Sequence, residues 1–482
     1  MPLSCRSNTQ IREKECDDVV AQSAYRIRKQ ALLAKLQARV AIGDYRTLTA
    51  LFLPLLIDQA FIVCLNVVNV AMISSSGVSA ISAVNMVDSL NFFLVSVFVA
   101  VSTGGTVIVA QYKGSGNAPM VSKAAASSIA AVTLFALGIS LAMIALHGPT
   151  LHLLFGSASP DVFDKAKTYF IGSCASYAGI ALVEAVCGAL RGIGQSRASL
   201  VLSLVMNLSY VLLNVLFING LHMGVLGLSI SVNVARYGAA LYALYYLVKK
   251  NTNLHLRIKD MLQVKLDMIR KILYVGLPFA AEQMFFNGGK IVTQIFIVHL
   301  GTNAIAVNAI GGSFAQLTQI PSNALALTAI TVIGQSMGRQ DTEAARKYAR
   351  AFMWISSMFL LATALIVVPL FHPLVSLFHP PKEIVHDIFI IVLINAVTQV
   401  LLWSQSFIMP SALRAAGDSK FTSLVSLLSM WLFRITLGYL LAIVLHGGIV
   451  AVWLAMNLEW GVRGAVFLWR FRGKKWYQHK LI

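Results

Sequence analysis

Charge is what this chain has least of. Asp, Glu, Lys and Arg make up 12% of its 482 residues, against roughly 25% in soluble domains. So few charges cannot dress a surface that meets water on every side, which excludes most soluble enzymes and nucleic-acid-binding modules. Cysteine is scarce too: Cys5, Cys16, Cys64, Cys174 and Cys187 are the only five. No CxxC or Cys/His spacing joins them, so neither a metal site nor a disulfide framework is supported. The chain has no GxxxxGK[ST] stretch and no HExxH. Without a phosphate cradle or paired imidazoles, an ATP-driven pump and a metalloprotease both fall away.

Apolar residues are what the chain has most of, at 57%. They gather into twelve segments near 47–74, 79–111, 121–147, 163–190, 197–218, 223–248, 271–299, 303–337, 347–371, 385–411, 420–445 and 448–470. Each is long enough to cross ~30 Å of hydrocarbon as a helix rising ~1.5 Å per residue. The expected fold class is therefore an all-α integral membrane protein with twelve transmembrane helices. Basic residues fix the expected orientation. Placing the N-terminus in the cytoplasm puts 31 of the 38 Lys and Arg in cytoplasmic segments and leaves Lys165, Lys167 and Lys382 outside. This is the positive-inside pattern of a multi-pass protein of the plasma (inner) membrane with both termini cytoplasmic. The formal charge of +19 then reports topology, and no nucleic-acid partner is expected. Residues 1–46 contain no apolar run of signal-peptide length. Within them, 19–42 reads either as a basic amphipathic helix on the leaflet, carrying Arg26, Arg28, Lys29, Lys35 and Arg39, or as a solvated tail.

The chain also repeats itself. A shift of 224 residues lays Pro54 on Pro278, Gln59 on Gln283, Gly77 on Gly301, Gln111 on Gln335 and Gly114 on Gly338; a shift of 223 lays Ala189-Leu-Arg191 on Ala412-Leu-Arg414. Each copy holds an even number of crossings, so the copies point the same way through the membrane. Two six-helix bundles, 47–248 and 271–470, should be parallel repeats related by a pseudo-two-fold along the membrane normal, with a cleft between them. A cytoplasmic linker, 249–270, joins them, and a short tail, 471–482, follows.

Five carboxylates fall well inside the predicted spans, away from their ends: Asp58, Asp88, Glu184, Glu282 and Glu459. At a helix centre each costs ~2.5–3.5 kcal/mol on the insertion scale, so each needs a cavity or a partner. Asp58 and Glu282 share one register of the repeat, four residues after Pro54 and Pro278. They are expected to face one another across the pseudo-two-fold, where desolvation and mutual repulsion disfavour two charges and allow proton exchange; the alternative is that they hold the bundles together. The two prolines give each helix a bend point. Asn66 and Asn69 lie near the Asp58 face and either ligate a hard monovalent cation or bond neighbouring helices. Lys290 either pairs with Glu282 or snorkels outward. Asp88 is a cavity or an interfacial group. Glu184 is expected to pair with Arg191, and Glu459 with Arg463 one turn on. Phe92, Phe93, Phe285, Phe286, Met284 and Trp403 are candidates for an apolar cavity wall, each with a core or lipid-facing alternative. Gly104-Gly105 and the loop Gly114-Ser-Gly116 follow no strand and suit helix packing and a tight turn.

Several stretches taken in order resemble the multidrug and toxic compound extrusion (MATE) family of secondary transporters. They are Leu53-Pro54, Val109-Ala-Gln111-Tyr-Lys-Gly114, Ala189-Leu-Arg191-Gly-Ile-Gly194, Val275-Gly-Leu-Pro278, Ile333-Gly-Gln335, Ala412-Leu-Arg414-Ala-Ala-Gly417 and Trp469-Arg-Phe-Arg-Gly-Lys-Lys-Trp476. The resemblance runs from about residue 47 to 477. It implies efflux of amphipathic, often cationic compounds in exchange for H⁺ or Na⁺, by alternating access. One departure stands out: where many members carry a Val-Asp-Thr-like stretch in helix 1, this chain reads Val68-Asn69-Val70, and Asp58 is the candidate to replace the missing acid.

The expected function is thus that of a monomeric antiporter, not an enzyme, with a small organic substrate and the lipid bilayer as partners and no cofactor beyond the coupling ion. A flippase for lipid-linked precursors is the alternative. It calls for a strongly cationic cavity, yet only Arg236, Lys290, Arg434 and Arg463 lie deep within the predicted helices, away from their ends. An intramembrane enzyme would need a His, Asp or Cys constellation that is not visible, and a passive scaffold would have no use for repeated buried acids.

Overall fold

The computed structural model is described for residues 45–73, 77–156, 159–251, 254, 256 and 266–482. The tail reading over 19–42 lies outside these residues. Among those described, every regular element is helical. Twelve crossings follow in order: α1 Tyr45–Ile73, α2 Val78–Gly114, α3 Ala118–Ala145, α4 Pro160–Ala175 with Tyr177–Gly192, α5 Ser196–Gly220, α6 Gly224–Lys250, α7 Leu266–His299, α8 Thr302–Gly338, α9 Thr342–Val367, α10 Lys382–Ala415, α11 Ser419–Val444 and α12 Gly448–Arg472. Ten are single helices long and apolar enough to span a membrane, and α4 is a pair bent by 41°. The twelfth, α7, has ample length at 34 residues but carries Glu282, Gln283, Asn287, Lys290 and Gln294, which dilute its apolar character.

Local sequence repeats give local structural repeats. Gly77 and Gly301 open α2 and α8 with φ of 93° and 100°, a left-handed region that an L side chain enters only with strain. Asn117 accepts from the Met120 amide to cap α3, and Asp341 accepts from Ala344 to cap α9. Short helices, His147–Phe155 and Phe371–Ser376, precede α4 and α10 at the same register. Neither is long enough to cross a bilayer.

Within the first bundle α2 packs on α3 and α4, and α1 on α5; within the second, α8 packs on α9 and α7 on α11. The bundles meet because α7 lies along α2 and α1 along α8. Glycines permit this approach: a Cβ on Gly276 would press on the Val101 backbone, and one on Gly104 would press on Gly276 and the Ile272 carbonyl.

At the face where α1 begins and α12 ends, here called the base, α2 and α8 cross. A Cβ on Gly114 would collide with the Gln335 carbonyl, and one on Gly338 with the Gln111 carbonyl. The same glutamines tie the bundles together, Gln111 Nε2 donating to the Ala415 carbonyl at 2.8 Å and Gln335 Nε2 to that of Gly192 at 3.0 Å. Thr331 Oγ1 adds a bond to the Arg191 carbonyl at 3.1 Å.

The C-terminal segment is anchored at this base. Trp476 is fully buried, and Asp418, between α10 and α11, accepts from Arg470 Nε at 2.7 Å and faces His479 Nε2 at 3.2 Å. Burial alone would raise the Asp418 carboxyl, but hydrogen bonds from His479 and Arg470 outweigh it and hold the group below its ordinary 3.8.

Candidate functional site

Away from the base, polar residues recur at helical spacing on the helices that border the other bundle. On α7 they are Gln283, Asn287, Lys290 and Gln294; on α8, Asn308, Gln316, Gln319 and Asn323; on α2, Asn85, Ser89 and Ser96 form one stripe beside Asp88, and the apolar Phe92 lies on the same stripe. Asn287 Nδ2 donates to Ser96 Oγ across the bundles at 2.9 Å. Beyond this bond Asn85, Asp88, Phe92, Lys290 and Gln294 are all exposed. The bundles therefore part toward the face opposite the base, leaving a cleft with polar stripes on its walls.

In the first bundle the cleft reaches Asp88. Its Oδ1 accepts from the Tyr169 hydroxyl at 2.7 Å and from Asn91 Nδ2 at 3.1 Å. Asn91 also donates to Ser173 at 3.1 Å and accepts from the Tyr177 hydroxyl at 2.7 Å. Arg236, within electrostatic reach of Asp88, spends its own donor on Ser176 at 2.6 Å, beside the bend in α4. Tyr210 and the buried Asn214 of α5 close the cluster. The sequence signal for Tyr169, Tyr177 and Asn91 is polarity inside apolar spans, which is weaker than that of a carboxylate because a hydroxyl or amide costs less to bury.

The remaining membrane carboxylates sit among arginines. Glu282 takes Arg414 Nη2 on both oxygens, at 2.7 and 2.8 Å, and Ser423 Oγ at 3.0 Å. Glu459 is shared by Arg434 at 2.7 Å and Arg463 at 3.1 Å. Glu184 faces Arg191 at 3.7 Å. Asp58 is buried beside Ser203 of α5, within electrostatic reach of Arg191, and its Oδ1 has no hydrogen-bond partner.

The family follows from the chain's two halves. A profile described as MatE matches residues 54–216 and again 278–440, one match in each bundle. The chain belongs to the MatE family. MatE proteins are membrane transporters, not enzymes. Similar proteins include the "Uncharacterized transporter YisQ" of Bacillus subtilis (strain 168), 24% identical over 93% of this chain and 99% of that one. The "Probable multidrug resistance protein NorM" of Thermotoga maritima is 24% identical over 91% and 94% of the two chains. Among solved structures, an outward-facing multidrug resistance MATE transporter of the MOP superfamily superposes with a TM-score of 0.82 at 19% identity, covering 91% of this chain and 97% of that one. A MOP superfamily transporter from Pyrococcus furiosus, described by the reverse polarity of its binding pocket, gives 0.81 at 19% identity over the same shares. These likenesses establish the MATE fold of two six-helix bundles.

Against this MatE fold, several expectations change. Asp58 and Glu282 do not face each other: α1 turns Asp58 toward α5 and α7 turns Glu282 toward α11, so each acid is held within its own bundle. Of the two readings of Lys290, the ion pair with Glu282 is not formed: Glu282 is taken by Arg414, whose long side chain reaches back from the base end of α10. Lys290 instead stands over the Phe286 ring, 4.8 Å from its centroid. Trp403 is buried, stacked on Phe407 at 3.7 Å and set edge-on to Trp460 at 4.9 Å, so it belongs to the second bundle's core and not to a cavity wall. Met284 and Phe285 are half-exposed. At ~100° per residue Phe285 lies about 160° around the helix from Asn287, a position that suits lipid, whereas Met284 lies about 60° from it, beside the polar stripe. Phe92 lies on the α2 stripe and is 64% exposed, which places it on the cleft wall. Asn66 and Asn69 lie on α1, but their side chains fall outside the described residues.

Proposed function

We propose that this chain is a secondary antiporter that exports small amphipathic organic compounds in exchange for H⁺ or Na⁺, acting as a monomer in the plasma membrane with both termini cytoplasmic. Asp88 carries the reading. Among the described residues it is the membrane carboxylate that opens onto the cleft, and it forms no ion pair there, since Glu184, Glu282 and Glu459 are all matched to arginine. A carboxylate held by a phenol and an amide and reachable through water can accept a proton, or, with the nearby Asn214 carboxamide oxygen, a hard cation. Asp58, buried near Arg191, is the less accessible candidate for the same role.

Exchange requires that ion and substrate favour different arrangements of the bundles. The base supplies a discrete two-state element: two glycine-to-carbonyl contacts and three hydrogen bonds that form together or part together. With the base closed, the cleft faces the side assigned here to the exterior, where an exported compound would leave and a coupling ion would enter. The names of the NorM and MdtK relatives, multidrug resistance proteins, support an organic substrate. The family does not favour the flippase reading.

The test is efflux of a fluorescent amphiphile from proteoliposomes under separately imposed H⁺ and Na⁺ gradients. Uphill movement driven by one gradient, and abolished by collapsing it, is expected. Transport that follows only the substrate's own gradient, whatever ion gradient is imposed, would contradict antiport.

A further inference from the structure

The second bundle encloses more positive than negative charge. Between its ends lie Arg414, Arg434, Arg463 and Lys290, matched by only Glu282 and Glu459. Arg414 is committed to Glu282. Arg434 and Arg463 must share Glu459, with Arg463 Nε also donating to Ser406 at 2.6 Å. Both guanidinium groups are at least nine-tenths buried, yet Arg434 Nε and Arg463 Nη2 have no hydrogen-bond partner. Lys290 has no carboxylate within ion-pair distance among the described residues. Its side chain is exposed, on the polar stripe of α7 that borders the cleft.

Two of these cations, Lys290 and Arg434, converge on one ring. Lys290 Nζ lies 4.8 Å from the Phe286 centroid, and the Arg434 guanidinium lies 5.2 Å from it. Arg434 sits where α11 widens into i→i+5 turns over Met430–Leu437, a distortion that recurs at functional positions. Gly289, beside Lys290, brings α7 so close to α11 that a Cβ there would press on Met430. An uncompensated cation this deep in a membrane is costly, and an arriving anion would relieve that cost. The repeat makes the feature specific to this half, for the register of Lys290 is occupied in the first bundle by Asn66, 224 residues earlier.

We infer that Lys290, backed by Arg434 and Arg463, forms an oxyanion-binding subsite on the cleft wall, and that the transported compound is an aromatic organic carboxylate whose charge docks on Lys290 beside Phe286. This rests on the transport reading for its purpose but not for its test, because binding needs no gradient. It replaces the expectation of a cationic substrate: the acids that were to attract a cation are largely cancelled by arginine, while the cations of the second bundle are not cancelled by acids.

The experiment uses the purified full-length protein in detergent, titrated with pyrenebutanoate, with its uncharged methyl ester and with the ammonium of the same length. The carboxylate is expected to bind best. Lys290→Gln should weaken it about tenfold or more while leaving the ester unchanged, and Lys290→Arg should retain it. Equal binding of carboxylate and ester, tighter binding of the ammonium, or unaltered carboxylate binding by a folded Lys290→Gln would each overturn the assignment. Phosphatidylglycerol in the micelle separates a lipid phosphate from an organic carboxylate: pyrenebutanoate that competes for the Lys290-dependent site supports the inference, and a site that takes only the lipid overturns it. Failure of gradient-driven transport would instead count against the antiporter reading and leave the binding result standing.

Discussion

Replacing Gly338 by alanine should force the base open. A Cβ at this position collides with the Gln111 carbonyl, and its nearest neighbours are all Gln111 backbone atoms, so no side chain can swing away to relieve the contact. Helices α2 and α8 must separate. Separation strains or breaks the bonds of Gln111 to Ala415, Gln335 to Gly192 and Thr331 to Arg191. At ~0.5–1.5 kcal/mol each, these alone are worth about 3 kcal/mol, enough to move a two-state ratio by about 100-fold. Spin labels at Lys113→Cys and Arg339→Cys, both exposed at the base, read this separation in a background without the native cysteines. Wild type should give a short distance, and Gly338→Ala a longer population. Gly114→Ala should do the same, because its Cβ would meet the Gln335 backbone in the pseudo-symmetric place. Gly312→Ala has open space around it and should leave the distances unchanged. A short distance retained in both Gly338→Ala and Gly114→Ala would refute the base as the switching element.

Three other outcomes follow from buried side chains. Glu282→Gln leaves the Arg414 guanidinium buried without its counter-charge and should cost about 3–5 kcal/mol of stability, whereas Glu282→Leu combined with Arg414→Met should recover most of it; thermal unfolding in detergent compares the two. Trp403→Ala removes a ring stacked inside the second bundle and should cost about 3–5 kcal/mol without changing which substrates are carried; a change in substrate range at unchanged stability would return it to the cavity wall. For Asp418, whose carboxyl is held below 3.8, the favourable contribution is complete above that value and is lost as pH falls through the lowered one. Hydrogen exchange over 474–482 should therefore stay protected on acidification to about pH 4 and rise below it, while Asp418→Asn should be unprotected throughout; deprotection already between about pH 7 and 5 would contradict the assignment.

The crossings and the repeat were legible because they depend on features that one dimension preserves. Apolar length marks a span, lysine and arginine mark its ends, and a constant offset carries Gly77 onto Gly301 and Gln111 onto Gln335. What the sequence hid is rotation about each helix axis and the reach of long side chains. Asp58 and Glu282 share a register, yet register says nothing of the bundle interior toward which each turns. Arg191 and Arg414 close their helices and read as loop charges; an arginine is long enough to fold back into the membrane and neutralise an acid, as Arg414 does with Glu282. The pairing of Arg434 with Glu459 joins α11 to α12 and has no local signature. By contrast, the spacing of Gln283, Asn287, Lys290 and Gln294 was readable as one helix face, and a search for polar periodicity in the least apolar span would have found the cleft wall before any coordinates.

The most direct test of the central claim separates coupling from carriage. In proteoliposomes, Asp88→Asn and wild type are compared in gradient-driven uptake of a fluorescent amphiphile and in its exchange across the membrane at equal concentrations on both sides. The account predicts that Asp88→Asn loses the driven uptake and its dependence on the imposed ion gradient while retaining exchange. Driven uptake at the wild-type level in Asp88→Asn would contradict it.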